Sequence, residues 1–317
     1  MKYIELKETY INPNFLPVQI NNNEQAGHGH VLSVKIVVPC YCQANCKFCF
    51  NKQTINTQVH NWPNFIYNID RSLHELFSNI KNRKITLDIT GNEPTFNIEN
   101  FKVLMRVLKQ YKDWYRNNID KIVLTTNGFH IYECIPYMKD VVDIVNISLH
   151  HFDYNERRNI FRTKYIPSND DLKEIIHQMN NINISVTSVA VIYEKIDFVS
   201  FVNKFAEFSQ NTGFKDCRVR INFTDNSEHI RNQFNIKFDN EIVYRQAGLS
   251  TKHININNYN VSIYLGVTDL VDYVIGVEMV IDDNGKLYLD YNKRYDIDQT
   301  AFNDFDNNIY VIKNEMC

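Results

Sequence analysis

The chain contains no run of eighteen apolar residues, so no helical membrane span is expected. Met1 to Glu8 lack the apolar stretch of a secretion signal. No internal repeat or low-complexity tract is present, and no leader-peptide-binding domain is expected in the polar first thirty residues. Excess charge of one sign is missing too: 34 basic and 37 acidic side chains leave a net charge of −3. That balance gives no argument for a nucleic-acid or membrane-surface partner, although a local basic pocket stays open. Seven cysteines, three of them crowded together, do not form a disulfide pattern in 317 residues, and a reducing cytoplasm is the expected compartment.

The crowded thiols are Cys42, Cys46 and Cys49, placed directly after the apolar run Val31 to Pro39. Thiolates are soft ligands that select zinc or iron–sulfur clusters. Packing of small hydrophobes is one alternative, but Gln43, Asn45 and Lys47 make the segment polar between its sulfurs. A closed zinc site is another, and it wants a fourth ligand such as Cys40 or a histidine. No second Cys-x-x-Cys follows to supply one at paired spacing. Three ligands on a four-iron cluster would leave one iron open to a small molecule.

The rest of the chain supplies a frame. Val31 to Val38 reads as a strand, because its β-branched residues end at Pro39. Helical spacing of apolar residues follows over 61–82, then a strand Ile85 to Ile89, a helix Ile98 to Tyr115 and a strand Lys121 to Thr125. A short helix near Ile131 to Met138, a strand Val142 to Leu149, a helix Asp170 to Met179 and a strand Ile184 to Ile192 come next. A helix Phe198 to Phe208 and a sixth strand, Cys217 to Phe223, complete the alternation. Alternation of this kind predicts an α/β fold, a partial (β/α)6 TIM-like barrel, since six units are too few to close an eight-fold barrel. β-rich runs at Val261 to Leu265, Tyr273 to Ile281 and Lys286 to Tyr291 predict a C-terminal β-rich extension, with Asp283 to Gly285 as a hairpin turn. The expected divisions are a polar segment 1–30, a barrel 31–226 and an extension 227–317 covering the substrate side.

Unusual residues gather after successive strands, where parallel α/β barrels build their sites. The thiols follow the first strand, Gly91 to Pro94 the second, Thr126 to Gly128 the third, and Ser148 to His151 close the fourth. With an aromatic before its last cysteine, Cys42-x3-Cys46-x2-Cys49 resembles the signature of the radical S-adenosylmethionine (radical SAM) superfamily. Gly91 to Pro94 resembles that family's Gly-Gly-Glu-Pro turn, with Asn92 in place of the second glycine. Thr125 to Gly128 is similar to its third-strand motif. Ile147 to His150 resembles Ile-Ser-Leu-Asp, with His150 where aspartate is common.

The resemblance implies a [4Fe–4S] cluster on Cys42, Cys46 and Cys49 whose open iron holds S-adenosylmethionine. One-electron reduction of that cofactor yields a 5′-deoxyadenosyl radical. It further implies cofactor contacts from Gly91, Asn92, Glu93, Asn127, Ser148 and Ser188, with Glu93 accepting from the cofactor's ammonium and Ser148 meeting its ribose. An electron donor such as flavodoxin or ferredoxin is implied as well. Arg157, Arg158 or Arg162 could supply positive charge for the cofactor carboxylate.

His150 and His151 should point to opposite faces, and His150 is the candidate for substrate binding or proton transfer. Arg218, Arg220 and Asn222 share one strand face. If that face lines the barrel, a phosphate- or carboxylate-bearing substrate follows, with Arg220 as the second catalytic candidate; an outward, solvated face is the alternative. Only Cys317 lies beyond residue 226, so no auxiliary cluster is expected, and Asp282, Asp283, Asp290, Asp296 and Asp298 are assigned no metal. The chain looks closest to compact family members such as viperin-like nucleotide enzymes. Three functions follow: a radical enzyme acting on a small metabolite, nucleotide- or sugar-derived; a radical enzyme that modifies a ribosomally made peptide; and a non-enzymatic zinc- or cluster-binding module.

Overall fold

The structure, a computed structural model, describes residues 31–49, 61–79, 84–163, 165–221, 228–239, 241–246, 249–266, 274–275, 278–288 and 311–312. Gly27 to His30, Asn222, Asp290, Asp296, Asp298 and Cys317 lie outside the described residues.

Strand and helix alternate as the hydrophobic pattern dictates. The strands β1 (Val31–Val38), β2 (Lys84–Gly91), β3 (Ile119–Thr126), β4 (Ile144–Ser148), β5 (Ser185–Ile192) and β6 (Asp216–Ile221) pair in parallel in that order. Between them run α1 (Trp62–Asn79), α2 (Ile98–Trp114), α3 (Ile131–Met138), α4 (Tyr154–Phe161), α5 (Asn169–Asn181) and α6 (Phe198–Thr212). Each helix buries one stripe on the sheet. On α1 the stripe is Phe65, Ile69, Leu73 and Leu76, each shielded almost completely and each worth about 1.5–3 kcal/mol relative to exposure. Local chemistry fixes the helix ends: Ser168 and Asp171 form a capping box on α5, and Gly213 closes α6 at φ +100°. Among these six helices, one has no counterpart in the sequence reading. It is α4, a mostly polar element whose buried residues are Arg157, Ile160 and Phe161.

The C-terminal strands extend the parallel sheet, apart from one short two-stranded pair. After a short helix α7 (Glu228–Arg231), β7 (Ile242–Gln246), β8 (Leu249–Ile256) and β9 (Tyr259–Gly266) make an antiparallel meander. Of these, β9 lies parallel to β6. After the two-residue strand β10 (Val274–Ile275), β11 (Glu278–Ile281) crosses to the opposite edge and lies parallel to β1, with β12 (Leu287–Tyr288) antiparallel beside it. A last short strand, β13 (Val311–Ile312), pairs only with β10. The main sheet therefore runs β12-β11-β1-β2-β3-β4-β5-β6-β9-β8-β7, open at both ends, as expected of a partial barrel. Its parallel part is longer than six strands, because β11 and β9 each add one. The expected boundary at 226–227 thus falls within a continuous sheet, which the described strands β7 to β9, β11 and β12 extend.

The expected Asp283 to Gly285 hairpin is present, with Gly285 N–H donating to Asp282 O at 2.8 Å. It seats on α1: Ser72 Oγ donates to Gly285 O at 2.7 Å, and a Cβ on Gly285 would lie 2.8 Å from Phe65 O. Asp282 accepts from the Asn284 and Lys286 N–H groups, which makes it a turn residue.

Strand register decides which residues can meet. Val34, Ile36, Leu87, Leu124, Val145, Val186 and Val219 face the helices and form the core. The opposite, inner face carries matched rows. Thr125, Asn146 and Thr187 share one row, and Ser148, Val189, Arg218, Ser262 and His253 share the next. Val191, Arg220, Tyr264 and Thr251 follow one row nearer the C-terminal ends of the parallel strands.

Candidate active site

The thiol loop leaves β1 at the rim where β2, β3 and β4 also end. None of its three cysteines forms a disulfide among the described residues; Cys46 is buried, and Cys42 and Cys49 are half-buried. Two backbone bonds pin the loop: Asn45 N–H donates to Phe161 O at the end of α4 (2.8 Å), and Cys49 N–H to Cys46 O (3.2 Å). Burial raises the Cys42 thiol to about 11, with the nearby Glu93 and Cys49 adding to the rise. Cys40, the neighbour that confuses ligand counting, is turned away. Its buried thiol donates to Glu93 O at 2.8 Å and is held protonated, chiefly by desolvation.

The second-strand turn needs its first glycine. At φ +125°, Gly91 sits against β1, where an added Cβ would lie 2.8 Å from both Val38 N and Val38 O. Asn92 does not disturb the turn, since its amide donates to Cys40 O at 2.5 Å and ties the two loops together.

Glu93 departs from expectation. It is fully buried, and its Oε1 accepts from Thr95 N (3.0 Å), Thr95 Oγ1 (2.5 Å) and Thr126 Oγ1 (2.5 Å), while Oε2 accepts from Asn127 N (2.7 Å). Desolvation pushes its pKa up, against the pull of these four donors. The carboxylate therefore clamps the β2 loop to the β3 loop instead of standing open to an ammonium group.

Through that clamp Asn127 is aimed at the sulfurs. Its Oδ1 accepts from Phe129 N (3.1 Å), which leaves Nδ2 facing Cys42 Sγ at 3.5 Å. Gln43 approaches the same Oδ1 at 3.5 Å. Thr95, which completes the clamp with Thr126, was not singled out in the sequence; its place directly after the Gly91 to Pro94 turn was the available signal.

At the end of β4 the two histidines separate. His150, at φ +65°, turns inward and is buried between Phe48 (4.8 Å between ring centroids) and Phe161 (5.1 Å). Burial, and secondarily the charge of Arg220, lower it to about 3, so the ring is neutral at physiological pH. His151 stacks on Phe152 towards α6, and its Nδ1 accepts from Asp153 N at 2.9 Å. Tyr193, also missed in the sequence, closes the aromatic wall over Phe48 at 4.7 Å.

Ser148 is half-buried on the inner face, in the row of Arg218. Ser188 is on the other face, fully buried and bonded to Ser209 of α6 at 2.7 Å. The structure therefore does not bring Ser188 to the site, because register with Ile147 and Cys217 turns it toward the helices. Among the three arginines of α4 and its cap, Arg157 is buried: it donates to Asn169 Oδ1 (2.6 Å), lies over the Phe208 ring, and is lowered to about 10 by desolvation. It joins helices. Arg158 is half-buried and Arg162 exposed.

The chain belongs to the radical SAM superfamily, whose family model matches residues 36–201. It is 23% identical over 208 residues to the radical SAM cyclopropyl synthase TigE of Paramaledivibacter caminithermalis, covering 60% of this chain and 41% of that protein. Among solved structures it is similar to Streptococcus suis SuiB bound to S-adenosylmethionine, with 16% identity, 64% and 45% coverage and a TM-score of 0.43. It is likewise similar to the radical SAM coproporphyrinogen III oxidase HemN of Escherichia coli, with 14% identity, 60% and 43% coverage and a TM-score of 0.43. The chain spans less than half the length of each of these relatives.

Members of the family use a [4Fe–4S] cluster with S-adenosylmethionine, and the residues present suit that pair. Three thiols stand on one loop, an amide N–H points at one sulfur, and two buried polar atoms on or beside the loop lack partners: Gln43 Oε1 and His150 Nδ1. No group of His, Cys, Asp and Glu side chains among the described residues is arranged to hold a single metal ion. No helix among them is long and apolar enough to cross a membrane.

Proposed function

We propose that this chain is a radical SAM enzyme acting on a small anionic metabolite, nucleotide- or sugar-derived. Cys42, Cys46 and Cys49 would hold the [4Fe–4S] cluster. The backbone of Gly91 to Glu93, the Asn127 amide and the Ser148 hydroxyl would surround the cofactor. When bound, cluster and cofactor supply hydrogen abstraction through one-electron cleavage of S-adenosylmethionine, fed by a donor such as flavodoxin or ferredoxin. The protein's own work is placement. Phe48, His150, Phe161 and Tyr193 form a dry aromatic wall, which excludes water and competing hydrogen donors. His150, neutral and lacking a partner for Nδ1, offers that wall one polar contact.

One observation carries the substrate class. Arg218 and Arg220 lie on the inner face, Arg218 in the row of Ser148, and neither has a carboxylate partner among the described residues. Two guanidinium groups side by side repel unless an anion joins them. Anaerobic reconstitution tests the reading. About four irons and four sulfides per chain, with cofactor cleavage on reduction, are expected. Zinc without cleavage would sink it.

A second reading, ring-forming chemistry, is favoured by the curated relative, which is named as a cyclopropyl synthase. A product lighter than its substrate by two hydrogens would select it.

A further inference from the structure

We propose that β6, β9 and β8 together form an oxyanion subsite, built from Arg218, Arg220, Ser262, His253 and Tyr264, that holds a phosphoryl or carboxylate group of the substrate. The inference rests on the reading above, and it assigns substrate recognition to strands beyond residues 36–201, the stretch matched by the family. Shared cofactor chemistry belongs to the matched part. Strands outside it are free to carry what distinguishes one substrate from another.

Register supplies the geometry. Arg218, Ser262 and His253 are direct cross-strand partners on one row, and Arg220 pairs with Tyr264 on the next. Neighbouring strands lie about 4.8 Å apart, so the row from Arg218 to His253 spans about 10 Å, enough for one or two oxyanion groups. Ser262 Oγ lies 3.0 Å from His253 Nδ1. Desolvation and the adjacent Arg218 charge lower the His253 pKa, so the imidazole is neutral at pH 7. The face thus presents two guanidinium forks beside a neutral imidazole and a phenol. Asp216, the acidic side chain on the same face of β6, sits one row lower and makes no ion pair with either arginine. A planar or tetrahedral oxyanion is the chemistry that satisfies this arrangement.

Isothermal titration of the reconstituted protein with pyrophosphate, inorganic phosphate and citrate tests the subsite. Saturable binding is expected, weakened about tenfold or more by Arg218→Ala or Arg220→Ala and less by His253→Ala or Tyr264→Phe. Lys173→Ala, on the exposed face of α5, should change nothing. Thermal melting checks that each variant is folded. Preference for pyrophosphate or for citrate identifies the group as phosphoryl or carboxylate; either result supports the subsite. Absence of saturable binding by all three probes, or equal binding by a folded Arg218→Ala/Arg220→Ala variant, overturns it. A protein that binds pyrophosphate but holds no cluster would defeat the enzyme reading and leave the subsite standing.

Discussion

The rim over β1 to β4 and the inner face of β6, β9 and β8 treat polar groups in opposite ways. At Glu93, which joins the β2 and β3 loops, charge is buried and answered from within. Glu93 has four donors, Asn127 is fixed at three of its polar atoms, and Cys40 is capped by a carbonyl. Across β6, β9 and β8, Arg218 and Arg220 share one face and have no carboxylate partner among the described residues. A self-satisfied network is rigid and suits a cofactor of fixed shape. An unsatisfied one is a receptor that gains only when its ligand arrives.

The comparison breaks most visibly at the sulfurs. Replacing Cys42, Cys46 or Cys49 with alanine should abolish bound iron and cofactor cleavage, whereas Cys40→Ala should retain both. Iron analysis of the four purified variants decides this, and equal losses at Cys40 would mean that the ligand set is misassigned.

Next in size is Gly91→Ala. The new methyl would overlap the β1 backbone at a φ that side chains rarely adopt, so a loss of about 3 kcal/mol or more is expected in denaturant unfolding. No position on β6, β9 or β8 should be as intolerant.

The third test uses pH. His150 is lowered in the folded chain, so the unfolded chain binds its proton first as pH falls. Its contribution to stability is complete above the unfolded value near 6.5 and is lost progressively between there and about 3. His150→Asn, which tolerates the left-handed backbone, should remove about 1–2 kcal/mol of the stability otherwise lost between pH 6.5 and 5. Unfolding curves at the two pH values measure it. Unchanged pH dependence would mean that the ring is open to water.

Asn127→Asp should act more gently on the fold and more on the electrons. It replaces an N–H facing Cys42 with oxygen, and loss of a hydrogen bond to sulfur should shift the cluster midpoint to more negative potential. An EPR-monitored redox titration reads this directly, with Asn127→Ala expected between the two.

Ser188→Ala is the smallest, about 1 kcal/mol from the lost bond to Ser209, with cofactor binding unchanged. A loss of cofactor affinity would restore Ser188 to the site.

That last residue shows where sequence reading stops. Spacing of thiols, the Gly91 to Pro94 turn and the helical stripes were legible because each is written over a few neighbouring residues. The facing of Ser188 was not, because Val186 to Ala190 is buried on both sides and carries no alternation to read. Nor was the inward turn of Glu93, which depends on Thr126 across a strand gap. On β6 the alternation of arginines with Cys217 and Val219 placed both arginines on one face correctly. Which face that was, and that Ser262 and His253 would join it, needed the register of strands the chain supplies later.

The position of β11 beside β1 bears on how the molecule is made. The strand that delivers the thiol loop is synthesised well before its outer neighbour, since Ser33 of β1 pairs with Glu278 of β11. Until that segment emerges, β1 has an unpaired edge, the kind of surface that templates aggregation. So distant a pairing is slow to close. Iron delivered before β11 docks would meet a loop anchored on one side only, so cluster loading should be most efficient after the whole sheet has formed.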